Sequence, residues 1–132
     1  MWSVYLAGNG ELNYWKIGMS ACPEKRSQSL LLPFEVRLVS VVPVGNRDEA
    51  REAEKIVQAR FQHLQIRSEW FRDVVPAVFR AEAVAAIPQA KEQVKENQKR
   101  VSDVNSAYFA RMQARRDQRW LKTQAFLNGG SK

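Results

Sequence analysis

Short β-prone runs occupy the first third of the chain, and apolar positions at helical spacing occupy much of the rest. Ser3 to Ala7 predicts a strand, Gly8-Asn9-Gly10 a turn, and Tyr14 to Met19 the returning strand of an N-terminal hairpin. Pro23 suits the first turn of a helix, because its missing N–H has no partner there anyway. That helix is expected to run to about Leu31, with Pro33 stopping it. The Val-rich stretch Glu35 to Val44 predicts a third strand.

Asn46 followed by Glu49 matches a capping box, the reciprocal pairing of a cap side chain and a third-position carboxylate. Ala50, Ala53, Ile56, Val57, Phe61 and Leu64 then follow at helical spacing. Arg67 to Asp73 predicts an irregular segment with Trp70 and Phe71 folding back onto the core. A further helix is expected over Val74 to Ile87, with Pro76 in its first turn and Pro88 ending it. Gln89 to about Leu127 is helical in pattern and highly charged.

These elements define an α/β chain of the α+β type. A small, three-stranded, mostly antiparallel sheet is flanked by helices and followed by a basic C-terminal helical extension. The expected division falls at Pro88, giving a domain over 1–88 and an extension over 89–132.

At 132 residues, 45 % hydrophobic and 10 % aromatic, the chain can bury one core. It has no run of about 18 apolar residues, so no membrane span is expected. Its N-terminus lacks a basic region followed by an apolar stretch, which argues against a secretory signal. Cys22 is the only cysteine, which precludes an internal disulfide and fits a reducing, cytoplasmic interior. His63 is the only histidine. A Cys/His zinc site is therefore excluded, as is any histidine-dependent triad without His63. A metal would have to be oxygen-ligated, such as Mg²⁺ or Mn²⁺.

The net charge of +7 points to an anionic partner. Its distribution is uneven: residues 1–88 carry 11 Lys/Arg against 10 Asp/Glu, while residues 89–132 carry 10 against 4. On the extension, Arg111, Arg115, Arg119 and Lys122 fall on one helical face with Arg116 to the side, a stripe suited to a phosphate backbone. A solvated helix face is the plainer explanation. Val101, Val104, Tyr108 and Met112 form a narrow apolar stripe, suggesting self-association or docking on the body, with a membrane-surface helix the weaker alternative.

The first half holds the chemistry. Tyr5 and Lys16 stand on neighbouring strands and can meet across one face, where an ammonium favours a phenolate and makes it a better general base. Arg26, one turn into the next helix, can offer a guanidinium fork to a phosphate. A carboxylate on the later helix could hold one divalent ion. The helical wheel does not choose among Glu49, Glu52 and Glu54.

Val4-Tyr5-Leu6, Lys16-Ile17-Gly18-Met19-Ser20, Pro23 and Arg26 resemble the signature of the GIY-YIG endonuclease superfamily, most closely its Lys-Ile-Gly subgroup of T5orf172 / MUG113-like domains. Glu52 to Val57, Phe61 and Ser68-Glu69-Trp70-Phe71 continue the resemblance in order over roughly residues 2–75. It implies a metal-dependent DNA endonuclease that hydrolyses phosphodiesters with one Mg²⁺ or Mn²⁺. In that register Tyr5 activates water, Lys16 replaces the second tyrosine, Arg26 stabilises the scissile phosphate and Glu54 holds the metal. The sequence departs from the pattern in having Ser3-Val4 for Gly-Ile, Lys for the second Tyr, and no evident terminal Asn near Phe61–Phe71. The alternative is a catalytically inactive, nuclease-like module that binds nucleic acid or protein. Phage or mobile-element origin is among the biological settings left open.

Overall fold

A computed structural model of the chain describes residues 1–28 and 34–129. Strands β1 (Trp2–Asn9) and β2 (Tyr14–Ser20) form the expected antiparallel hairpin, with Tyr5 opposite Gly18 and Ala7 opposite Lys16. The turn lies beyond Gly8, which belongs to β1. A Cβ at Gly8 would collide with the Tyr14 carbonyl oxygen, so this glycine serves a close approach and leaves the reversal to Gly10–Asn13. The Asn9 side-chain oxygen accepts from the Glu11 and Leu12 N–H groups and starts that reversal.

Helix α1 (Pro23–Gln28) begins at the expected proline; its expected end near Leu31 and Pro33 lies outside the described residues. Strand β3 (Arg37–Gly45) pairs with β1 on the side away from β2. Helix α2 (Arg47–Arg60) carries the complete Asn46/Glu49 capping box and buries Ala50, Ala53 and Val57.

Among the described residues the sheet has five strands, a correction to the expected three. Gln65–Arg67 forms β4 and Trp70–Phe71 forms β5, giving the all-antiparallel order β3-β1-β2-β5-β4. Neither added strand is long enough to show alternation in sequence; each exists because β2 presents a free edge. Trp70 and Phe71 also part company, since neighbouring strand residues point to opposite faces. Phe71 is fully buried in the core, whereas Trp70 is half-buried on the other face.

Helix α3 (Pro76–Gly129) passes through Pro88, correcting the expected stop. The buried stripe Phe79, Ala83, Ala86, Ala90 and Val94 continues across it. Pro88 removes one intrahelical bond, but both Pro88 and Val84, whose carbonyl loses its donor, are exposed, so water can satisfy the group. The chain divides into two compact units, Met1–Val94 and Lys95–Lys132. The core of the first unites Val4, Leu6, Ile17 and Val42 of the sheet with the buried faces of α2 and of the start of α3. No helix among the described residues is long and apolar enough to cross a membrane.

A clasp holds the hairpin tip against the segment after β5. Asn13 Nδ2 donates to Asp73 Oδ1 at 2.6 Å, and Asn13 Oδ1 accepts from the Asp73 N–H at 2.9 Å and Trp15 Nε1 at 3.2 Å. Asn13 and Asp73 both have left-handed backbones, with φ of 52° and 57°, a conformation that Asn and Asp adopt more readily than other non-glycine residues. Asn13→Ala is expected to destabilise the protein by about 2–3 kcal/mol, through lost hydrogen bonds and the poorly tolerated φ. Asn13→Gly should recover part of that loss. Urea unfolding of the three proteins tests this, and equal midpoints would show that the clasp contributes nothing.

Candidate active site

The register of β1 and β2 stacks Tyr5 over Gly18. A Cβ at position 18 would lie 2.7 Å from the Tyr5 hydroxyl oxygen and 2.8 Å from Cζ, so only glycine leaves room for this phenol. Gly18 thus belongs to the site through what it omits. Tyr5 itself is 1 % exposed, more enclosed than a half-buried strand tyrosine, because its strand lies inside the sheet between β3 and β2 and is covered on both faces.

Lys16 lies on the same face, one step along β2, and is also 1 % exposed. A solvated strand lysine would not be buried this way. Its ammonium forms an ion pair with Glu69 Oε1 at 3.3 Å and lies 5.9 Å from the centroid of the Tyr5 ring. The anion and the ring together offset the cost of removing the charge from water. Glu69 reaches it from the tight turn between β4 and β5, where Ser68 has a φ of 52° and the Glu69 carbonyl accepts from the Ile17 N–H at 3.2 Å.

Helix α2 supplies the second carboxylate. Glu54 is half-buried, and its pKa is raised above the usual carboxylate value, first by burial and then by the negative charge of Glu69. Lys16, a hydrogen bond from Gln58 and Arg51 act in the opposite direction without cancelling the shift. Gln58 Nε2 donates to Glu54 Oε1 at 3.1 Å and to the Ile17 carbonyl at 3.0 Å, tying α2 to β2 at the carboxylate. This positioning residue went unnoticed in the sequence, although it stands four residues after Glu54, the spacing of neighbours on one helix face.

Lys16 therefore links these residues: its ammonium lies 5.9 Å from the centre of the Tyr5 ring and 3.3 Å from Glu69, and its charge acts on Glu54, while Gln58 holds Glu54 and Gly18 leaves room for Tyr5. Arg26 is exposed on α1, a helix that packs on β1, β2 and β3. The cations acting on Glu54 are Lys16 and Arg51. Arg111, Arg115, Arg116, Arg119 and Lys122 are all exposed in the second unit. Among the described residues no three His, Cys, Asp or Glu side chains cluster as a metal cage. Glu54 and Glu69 nevertheless fit a hard cation of the Mg²⁺ type, which is commonly held by one or two carboxylates with substrate phosphates and water. Their mutual repulsion is what such a cation would relieve.

A family model, the T5orf172 domain, matches residues 3–102. The chain belongs to that nuclease-like family. Comparison with curated proteins and with solved structures gives no match.

The raised Glu54 pKa predicts a stability difference that depends on pH. Below the ordinary carboxylate range Glu54 is protonated in both folded and unfolded chains, and its ionisation affects neither. As pH rises, the unfolded chain ionises first, so the wild type loses stability until the raised folded-state value is passed. Glu54→Gln removes this loss and should melt higher than wild type at pH 7.5, with the advantage vanishing near pH 3. A variant that melts lower at neutral pH would contradict the burial argument.

Proposed function

We propose that the domain is a DNA endonuclease of GIY-YIG type that hydrolyses phosphodiester bonds with a single Mg²⁺ or Mn²⁺. The observation that carries this reading is the buried Lys16 ammonium, which stands beside the Tyr5 ring and whose charge acts on the half-buried Glu54 carboxylate. Tyr5 first gives up its proton to solvent; its phenolate, beside the Lys16 ammonium, then accepts a proton from the attacking water and returns to the neutral phenol. Gln58 fixes the Glu54 carboxylate, and Arg26 supplies positive charge to the scissile phosphate. A divalent ion held by Glu54, with Glu69 beside it, would supply Lewis-acid polarisation of the phosphate.

The same site favours a second reading. Lys16 already has an anion in Glu69, and a satisfied ion pair is also what a nuclease-like fold kept only for binding would retain. Supercoiled, single-stranded and branched DNA incubated with Mg²⁺ or Mn²⁺ separate the two. The nuclease reading expects cleavage by wild type and a loss of at least about a hundredfold in Tyr5→Phe and in Glu54→Gln. Glu54→Gln is informative because its expected stability excludes unfolding as the cause. Cleavage that survives in both variants would overturn the assignment, and an inert wild type on every substrate would favour the binding module.

The exposed Arg111, Arg115, Arg116, Arg119 and Lys122 of α3 are proposed to contact the DNA backbone without sequence preference. Changing Arg111, Arg115 and Arg119 to Gln together should weaken duplex binding. It should also flatten the dependence of log K on log salt by about two to three, close to one unit per phosphate contact. An unaltered slope would rule out backbone contact by these residues.

A further inference from the structure

Three aromatic side chains outside the reacting group share one surface. Tyr14 and Trp70 lie with ring centroids 4.7 Å apart and planes tilted by 35°. Phe34 stands edge-on to both, at 5.3 Å from Tyr14 and 6.4 Å from Trp70. All three are half-buried, and none belongs to the hydrophobic core. The sheet register explains the placement: Trp70 of β5 pairs with Lys16 of β2 and with Arg67 of β4, so Lys16, Trp70 and Arg67 form one cross-strand row on a single face. Tyr14, two residues before Lys16, joins that face.

The two cations of the row differ. Lys16 is buried and paired with Glu69, whereas Arg67 is exposed and enters no ion pair among the described residues. An aromatic surface with an exposed arginine on the neighbouring strand, its backbone about 5 Å from that of Trp70, matches a base and its phosphate. A duplex cannot use such a surface, because its bases are already stacked on one another.

We propose that Tyr14, Phe34 and Trp70 are a stacking platform for an unpaired nucleobase, with Arg67 taking the adjacent phosphate. The substrate class is therefore DNA with at least one unpaired nucleotide, presented beside the Lys16–Glu69 pair. This rests on the reading that the partner is nucleic acid, but not on cleavage.

The test uses the full chain in EDTA and measures affinity by fluorescence anisotropy at fixed salt. The ligands are a twelve-nucleotide oligothymidylate and a twelve-unit abasic oligomer of equal charge. Wild type should bind the thymidylate about tenfold or more tightly, the range for stacking of one base on an aromatic side chain. Trp70→Leu should erase most of that preference while leaving affinity for the abasic oligomer unchanged, and Trp70→Phe should keep much of it. Arg67→Gln should weaken both oligomers equally. Equal wild-type affinity for the two oligomers would overturn the proposal without reliance on any variant. A preference that persists in Trp70→Leu would place the base elsewhere and overturn it as well. A base preference in a protein that leaves DNA uncut with Mg²⁺ would uphold the platform while the nuclease reading fails.

Discussion

The buried ammonium of Lys16 is the constraint around which the first unit is arranged. A charge removed from water needs an anion close by, and the chain supplies Glu69 by folding Gln65–Phe71 back along the free edge of β2. The tight turn at Ser68 then delivers the Glu69 side chain to Lys16 and its carbonyl to Ile17 in one stroke. Two short strands that would not form alone are held by that pair and by Phe71 in the core. A structural need and a chemical opportunity coincide, because the same charge reaches both Tyr5 and Glu54.

Glu54 shows what this arrangement costs. Its carboxyl is half-buried and faces a like charge, so ionising it at neutral pH works against folding. Gln58 limits the penalty by donating to it while spanning to the Ile17 carbonyl, at the point where the β2–β5 pairing ends. Titratable groups displaced by burial together with a specific charge partner are characteristic of working sites. The platform of Tyr14, Phe34 and Trp70 extends that site along the same face of the sheet, and the packed core occupies the other face.

Legibility varied with how local each interaction is. The hairpin, the start of α1, β3 and the capping box of α2 could be read directly, since turn residues, proline and cap pairing act within a few positions. The course of α3 through Pro88 was also present in the pattern, as the stripe Ala83, Ala86, Ala90 and Val94, but a helix-breaking residue outweighed it. Burial of that stripe reverses the balance, a term that local propensity does not contain.

The sequence alone determined which chemical groups the site could contain. One histidine and one cysteine left phenol, ammonium, guanidinium and carboxylate, and Lys16-Ile17-Gly18 put the ammonium beside a glycine. Tertiary structure decided the rest. It showed that Gly18 is vacant space for Tyr5, that Glu69 and Gln58 belong to the group, and that Trp70 joins Tyr14 and Phe34 apart from the core. Composition and spacing state what a segment can do within itself. Desolvation, cross-strand register and the mutual repulsion of carboxylates distant in sequence exist only once the sheet has closed.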